Sequence, residues 1–347
     1  MAYSSISKPS LHFNTKLYTG NGGTQSITGV GFQPDWLWIK SRSSTESHFV
    51  FDSVRGQSKY IFPNANNAEG TAGTGILNSF NSDGFTLGNN DGVNANSQTF
   101  VAWNWKAGTS FTNDASSTGV GSIDSTASVS QTAGVSIVKY IGTGSNETVA
   151  HGLGLAPEIM ICKNLSATEN WVVYVKSLGN TKRLVLDTTG AVGTDATIFN
   201  STTPNTTVFG IGENAGANGN GHGQIAYCFS SVKGYSKIGS YVGNGNANGP
   251  FIYTGFAPAF FMLKRTDGTN SWRMWDNKRD PFNVRDSSIN ANESDAEYTD
   301  ASVYMDFVSN GVKFRTTGDN VSGGNYIYMV FAENPFVAGN FNPATAR

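Results

Sequence analysis

The chain has 347 residues, a formal net charge of −2, 14% charged residues, 41 glycines and 12% aromatics. An average soluble domain is about 25% charged; the aromatic content argues against a disordered chain, and without a basic stripe nucleic-acid binding has little support. No run of 18 apolar residues exists to span a membrane as a helix, and Met1 to Phe13, with one lysine and no apolar core, is not expected to act as a secretory signal.

The first element is a phrase that returns twice. Tyr18-x-Gly20-x-Gly22, then Gly31-Phe32-x-Pro34, leads into Trp36-Leu37-Trp38-Ile39-Lys40. Tyr140-x-Gly142-x-Gly144 precedes Pro157 and Ile159-Met160-Ile161-Cys162-Lys163; Tyr241-x-Gly243-x-Gly245 precedes Pro258 and Phe260-Phe261-Met262-Leu263-Lys264. The matched prolines lie domain-sized distances apart, beyond the about 20–50 residues of solenoid units. Alternation puts Trp36, Trp38 and Lys40 on one side of a strand and Leu37 and Ile39 on the other. Both sets are largely apolar, so the strand is expected to be buried on both faces.

A second block follows: His48-Phe49-Val50-Phe51-Asp52 with Arg55, and Trp272-Arg273-Met274-Trp275-Asp276 with Arg279. The middle repeat has Trp171-Val172-Val173-Tyr174, then Val175, and Leu178 in place of the arginine. Ser82-Asp83-Gly84 and Ser309-Asn310-Gly311 are hairpin signals, with a looser version from Ile198-Phe199 to Val208-Phe209. Each repeat then has an Asn/Gly loop and an aromatic closing run: Phe100–Trp105, Ile225–Phe229 and Tyr326–Phe331.

The expected fold is all-β: three tandem antiparallel β-sandwich, jelly-roll-like modules. The expected division is an N-terminal arm and module one at 1–108, a Ser/Thr/Gly-rich linker at 109–134, module two at 135–232, and module three with a C-terminal tail at 233–347. Residues 109–134 read either as a flexible linker or as an extended arm docked on a neighbour. The short junction of Ser230 to Lys237 is expected to fix modules two and three rigidly. Cys162 and Cys228 lie in apolar runs and read as buried free thiols, with a disulfide between neighbouring strands as the alternative.

Taken together, certain phrases resemble repeated modules of tailed-bacteriophage virion proteins, common in phages of aquatic bacteria. They include Gly31-Phe32-x-Pro34-Asp35-Trp36-x-Trp38-Ile39-Lys40, Phe51-Asp52-Ser53-Val54-Arg55-Gly56, Val101-Ala102-Trp103-x-Trp105-Lys106 and Tyr326-Ile327-Tyr328-Met329-Val330-Phe331-Ala332-Glu333-Asn334-Pro335-Phe336. The resemblance runs from about Leu11 to Phe336. It implies a tail fibre or tail-associated host-recognition subunit that binds through its surface and assembles as a homo-oligomer, a trimer above all. Its partners would be other virion proteins and a host surface glycan, with no nucleic acid and no membrane insertion. Its place would be the virion, after synthesis in the bacterial cytoplasm. A capsid decoration protein and a tail-borne polysaccharide depolymerase are the alternatives.

No catalytic group, metal site or cofactor is expected. The histidines lack metal-ligand spacing, and no pair of acids is singled out for glycoside cleavage. Glu293-x-Asp295-x-Glu297 reads as a weak cation site or a solvated segment. Asp52 with Arg55, and Asp276 with Arg279, read as structural ion pairs at strand ends. Glycan contact would come from the Asn/Gly loops: Asn89, Asn90, Asp91 and Asn94; Asn214 and Asn218; Asp319 and Asn320. Trp171, Trp272 and Trp275 are the candidate stacking platforms, with burial in the core the expectation for at least two of them; Trp272 is the expected glycan contact. The competing reading of these loops is ordinary turns in which Asn and Gly tolerate positive φ.

Overall fold

A computed structural model of the chain describes residues 4–337. Residues 338–347 of the C-terminal tail and residues 1–3 of the N-terminal arm lie outside the described residues. The fold is all-β, with helix confined to single turns.

Four strands recur in the same order in three large sheets. The opening strands are Phe13–Thr19, Val135–Ile141 and Ser236–Val242. The inner strands are Trp36–Ser41, Ile159–Asn164 and Phe256–Arg265, the first two led in by Pro34 and Pro157 and the third carrying Pro258 within it. The flanking strands are Phe49–Asp52, Val172–Val175 and Arg273–Asp276, and the closing strands are Thr99–Trp105, Gly223–Phe229 and Asn325–Pro335. Each sheet runs opening, closing, inner, flanking, with every neighbour antiparallel.

The second large sheet is extended beyond its opening strand by Thr109–Asn113 and Ser125–Ser130. The 109–134 segment, read as a linker or arm, is therefore folded into a sheet. Its Ser/Thr content hides an alternation in which Ala127 and Val129 reach the apolar cluster beneath. Beyond the flanking strands, the second sheet adds Lys182–Val185 and Gly193–Thr194, and the third adds Ser287–Asn290 and Tyr298–Thr299.

A small sheet covers one face of each large one. The first holds Gln25–Thr28, Gly84–Leu87 and Leu77–Asn81; the second holds Glu147–Ala150 and Val208–Ile211; the third holds Phe251–Tyr253, Gly311–Phe314 and Met305–Val308. Both predicted hairpin turns are present. In the middle repeat Ile198 and Phe199 fill the cluster from turns instead of a strand.

The opposite faces of the three large sheets meet one another. All six residues of Trp36–Ser41 are buried. Leu37 and Ile39 face the cluster under their own small sheet, and Trp36 and Trp38 enter a central cluster built from all three repeats. At its centre, the equivalent closing-strand residues Trp105, Phe229 and Phe331 lie 5.6–6.5 Å apart between ring centroids. Each such ring withdraws about 150–250 Å² from water, worth about 4–6 kcal/mol before entropy is charged against it. The repeats share a core, so none has a complete apolar interior of its own.

Candidate functional site

The Tyr-x-Gly-x-Gly phrase and the Asn/Gly loop prove to be two halves of one clamp. Tyr18, Tyr140 and Tyr241 donate their hydroxyls to the carbonyls of Val93, Ala217 and Asp319 at 2.7, 2.6 and 2.5 Å. Asn94, Asn218 and Asn320 follow those carbonyls in the chain. Their Oδ1 atoms accept from the N–H groups of Asn21, Thr143 and Asn244 at 3.1, 2.8 and 2.7 Å. Their Nδ2 atoms donate to the carbonyls of Gly23, Ser145 and Asn246 at 2.6, 2.6 and 2.8 Å. The first glycine of each phrase is required by closeness: a Cβ on Gly20, Gly142 or Gly243 would stand 2.1–2.4 Å from a loop carbonyl oxygen. The second has φ between 66° and 70°, a region L side chains rarely adopt.

This corrects much of the expected glycan site. Asn94, Asn218, Asp319, Asn320 and Trp272 are buried. The three asparagines are saturated within the clamp, Asp319 accepts from Asn270 Nδ2 at 2.9 Å, and the Trp272 indole donates to the Val185 carbonyl at 2.9 Å. None can reach a sugar. Asn90 and Asn214 are partly exposed and cap single helical turns, accepting from the N–H groups of Gly92 and Gly216. Only Asn89 and Asp91 stand exposed.

Asp52 and Arg55 form an ion pair at 2.5 Å, and Asp276 and Arg279 one at 2.6 Å, all four buried. Each pair sits on a seam between repeats. Asp52 accepts the hydroxyl of Tyr227 at 2.7 Å, and Asp276 accepts the indole N–H of Trp103 at 3.0 Å; Tyr227 and Trp103 occupy the same position on neighbouring closing strands. Arg55 also pairs with Glu69 and Arg279 with Glu297. Burial pushes the Asp276 carboxyl up, but the Arg279 charge and its hydrogen bonds outweigh this and hold it below its ordinary value. In the middle repeat the corresponding positions are Val175, Leu178 and Val192, with Met329 across the seam, all in or against the central cluster.

Further bonds repeat around the ring. The N–H groups of Glu69, Val192 and Glu297 donate to the carbonyls of Leu165, Thr266 and Arg42 in the adjacent repeat, at 2.9, 2.8 and 2.9 Å. Lys163 Nζ donates to Asn66 O at 3.1 Å and Lys264 Nζ to Thr189 O at 2.8 Å, each across a seam. Burial lowers these two lysines and Lys40 to about 8. Sequence reading missed these lysines, although a lysine recurring on a doubly buried strand was a visible signal.

The histidines, cysteines and the acidic triplet are dispersed. His151 is buried, accepts from Leu153 N–H through Nδ1, and is pushed by burial down to about 4. His222 lies 3.1 Å from the Asn164 amide. Cys162 and Cys228 are buried free thiols. Glu293 accepts from Asn290 and Glu297 joins Arg42, so the acidic triplet does not converge. No group of three or more His, Cys, Asp or Glu among the described residues could hold a metal.

The outward face of the third small sheet differs from its counterparts. Phe251 is 47% and Tyr253 55% exposed, while Ile252 between them is buried. Lys237 Nζ donates to the Tyr253 carbonyl at 2.6 Å and lies 5.9 Å from its ring centre. Phe251 stands opposite Lys313, and exposed Asn244, Asn246 and Asn248 form the preceding turn. In repeat one the same positions hold Ser26 and Thr28, with Ser26 bonded to Thr86 at 2.9 Å. In repeat two they hold Thr148 and Ala150, with Thr148 covered by Ser122. Exposed rings flanked by amides can stack on the apolar face of a sugar and bond its hydroxyls. The alternation of Phe251 and Tyr253 beside an Asn/Gly turn was the overlooked signal.

No curated protein and no solved structure matches the chain. One family, described as a domain of unknown function (DUF7483), matches residues 8–335, a single stretch through all three repeats and all three seams. The chain belongs to that family.

Proposed function

We propose that the chain is a structural protein of a tailed-bacteriophage virion, built of three jelly-roll-like β-sandwich modules, that binds through its surface as a tail fibre or tail-associated host-recognition subunit. The virion assignment rests on the phrases of the sequence. The surface reading rests on one observation: the outward strand that is hydroxyl-bearing or covered in two repeats carries Phe251 and Tyr253 in the third. In this reading the shared core supplies rigidity and the third repeat meets a host glycan. The subunit assembles as a homo-oligomer, with a trimer expected from native mass spectrometry. A decoration protein gripping a capsid through the N-terminal arm and residues 109–134 is less well supported, because Thr109–Asn113 and Ser125–Ser130 belong to the second large sheet.

Imaging of virions with this subunit labelled tests the assignment; label on the tail supports it, and label on the head moves the protein to decoration. A glycan array tests the surface: binding by the wild-type chain that disappears in Phe251→Ala/Tyr253→Ala supports it. Release of reducing ends from host polysaccharide would replace it with a depolymerase.

A further inference from the structure

The residue after each of Pro34, Pro157 and Pro258 faces a seam. In repeat one it is Asp35, buried, which accepts from Ser53 Oγ at 2.7 Å, Ala107 N–H at 2.9 Å and Ser128 Oγ at 3.2 Å. In repeat two it is Glu158, which accepts from Ser231 N–H at 3.1 Å and from Ser231 Oγ. In repeat three it is Ala259. The three are equivalent in the backbone: Ser53, Lys176 and Asn277 donate their N–H groups to the carbonyls of Asp35, Glu158 and Ala259 at 2.9, 2.8 and 2.9 Å.

At the third seam the position after the proline carries no carboxylate, and the acid at the cavity is Glu333 of the closing strand. Thr15 of repeat one and Ala259, Asn277 and Lys278 of repeat three help to line a cavity of about 40 Å³. Asn277 is 3% and Thr15 4% exposed. Asn277 Nδ2 and Oδ1 and Thr15 Oγ1 have no hydrogen-bond partner among the described residues. Each buried polar group left so is destabilising, because its lost hydration is not replaced by a hydrogen bond. Asn14, Thr15 and Lys278, joined by Lys16, Leu17 and Gly29, also line an adjacent groove of about 350 Å³.

We propose that this seam is a ligand site for the carboxylate of an acidic sugar unit. Two seams carry a carboxylate at the position after the proline; at the third, where that position is Ala259, the unpartnered Asn277 and Thr15 side chains take one from outside. Asn277 Nδ2 and Thr15 Oγ1 donate to it, and Lys16 and Lys278 supply favourable charge at the groove. Asn277 Oδ1 needs a donor, which a ring hydroxyl of a uronate provides and acetate does not. Glu333, which lines the same cavity, is the chain's own competing acid. The site is separate from the Phe251/Tyr253 face and does not depend on the virion reading.

Thermal melting of the full chain at constant ionic strength tests it, with D-glucuronate, acetate, phosphate and D-glucose as probes. A ligand that binds only the folded state raises Tm with concentration. Glucuronate should raise it most, acetate less, and glucose not at all. Ala259→Asp installs the internal carboxylate: it should melt higher without ligand and bind glucuronate at least roughly tenfold more weakly. Should that variant fail to fold, Thr15→Val/Asn277→Leu removes the donors and should also abolish the response. Glu333→Gln should strengthen binding. No response to glucuronate, an equal response to phosphate, or a response unchanged in the variants overturns the proposal. A Glu-bearing peptide bound more tightly than glucuronate overturns the sugar assignment.

Discussion

The seam chemistry of the middle repeat and that of its two neighbours solve one problem in opposite ways. Repeats one and three bury an aspartate and an arginine, add a half-buried glutamate, and cap the aspartate with Tyr227 or Trp103 from the next closing strand. Repeat two places Val175, Leu178, Val192 and Met329 there. All four positions change together. A buried charge is tolerated only with its partners, and a wholly apolar set of similar volume serves as well. The seam therefore behaves as a unit, exchangeable whole and fragile in parts.

Breaking one charged seam should give the largest effect. Asp52→Ala strands Arg55 and should cost about 3–5 kcal/mol in urea unfolding. Installing the middle repeat's set instead (Asp52→Val, Arg55→Leu, Glu69→Val and Tyr227→Met together) should be neutral or stabilising by up to about 4 kcal/mol. A quadruple variant as damaged as the single one would sink the equivalence of the two solutions.

The clamps offer a comparison in which all three repeats agree. Asn218→Ala leaves the Thr143 N–H and two carbonyls to find new partners and should cost about 1–3 kcal/mol. Asn94→Ala should cost about the same, and a large difference between them would show that the clamps are not equivalent.

Repeat one alone has a histidine, His48, where the others have Trp171 and Trp272. Its Nδ1 accepts from the Trp38 indole at 2.8 Å and its Nε2 meets Asn290 O at 3.1 Å, so the neutral ring fits. Burial pushes His48 well below its ordinary value, and His151 down to about 4. Above about pH 6.5 both states are neutral. Below it the unfolded chain binds protons that the folded chain refuses. Stability should fall from about pH 6.5 toward 4, by up to about 1.4 kcal/mol per unit for each histidine. Urea midpoints that stay level between pH 7 and 5 would contradict this.

The smallest expected change in stability belongs to Phe251→Ala and Tyr253→Ala. Exposed substitutions of this kind stay within about ±0.5 kcal/mol, which would separate a binding surface from the packed framework.

The framework was legible because it is periodic. Double burial of Trp36-Leu37-Trp38-Ile39 follows from alternation in a wholly apolar run, and the Asp–Arg pairs follow from a three-residue spacing at a strand end. The loops were not legible. Asn94 in a buried clamp and Asn89 on the surface lie in the same Asn/Gly-rich loop, and only the returning Tyr-x-Gly-x-Gly turn distinguishes them. Residues 109–134 hid two strands because small polar residues serve a sheet edge as readily as a linker. The seam partners, Tyr227 for Asp52 and Trp103 for Asp276, are long-range pairings that no local pattern encodes. The contrast of Asp35 and Glu158 with Ala259 was visible in the alignment of the three phrases, but acquires meaning only once those residues face seams.

The shared aromatic core makes the three repeats one cooperative body, and scanning calorimetry of the full chain tests that most directly. The account predicts a single transition whose calorimetric and van't Hoff enthalpies agree in a ratio of about 1. Resolved transitions, with a ratio well above that, would show repeats that fold apart and would contradict it.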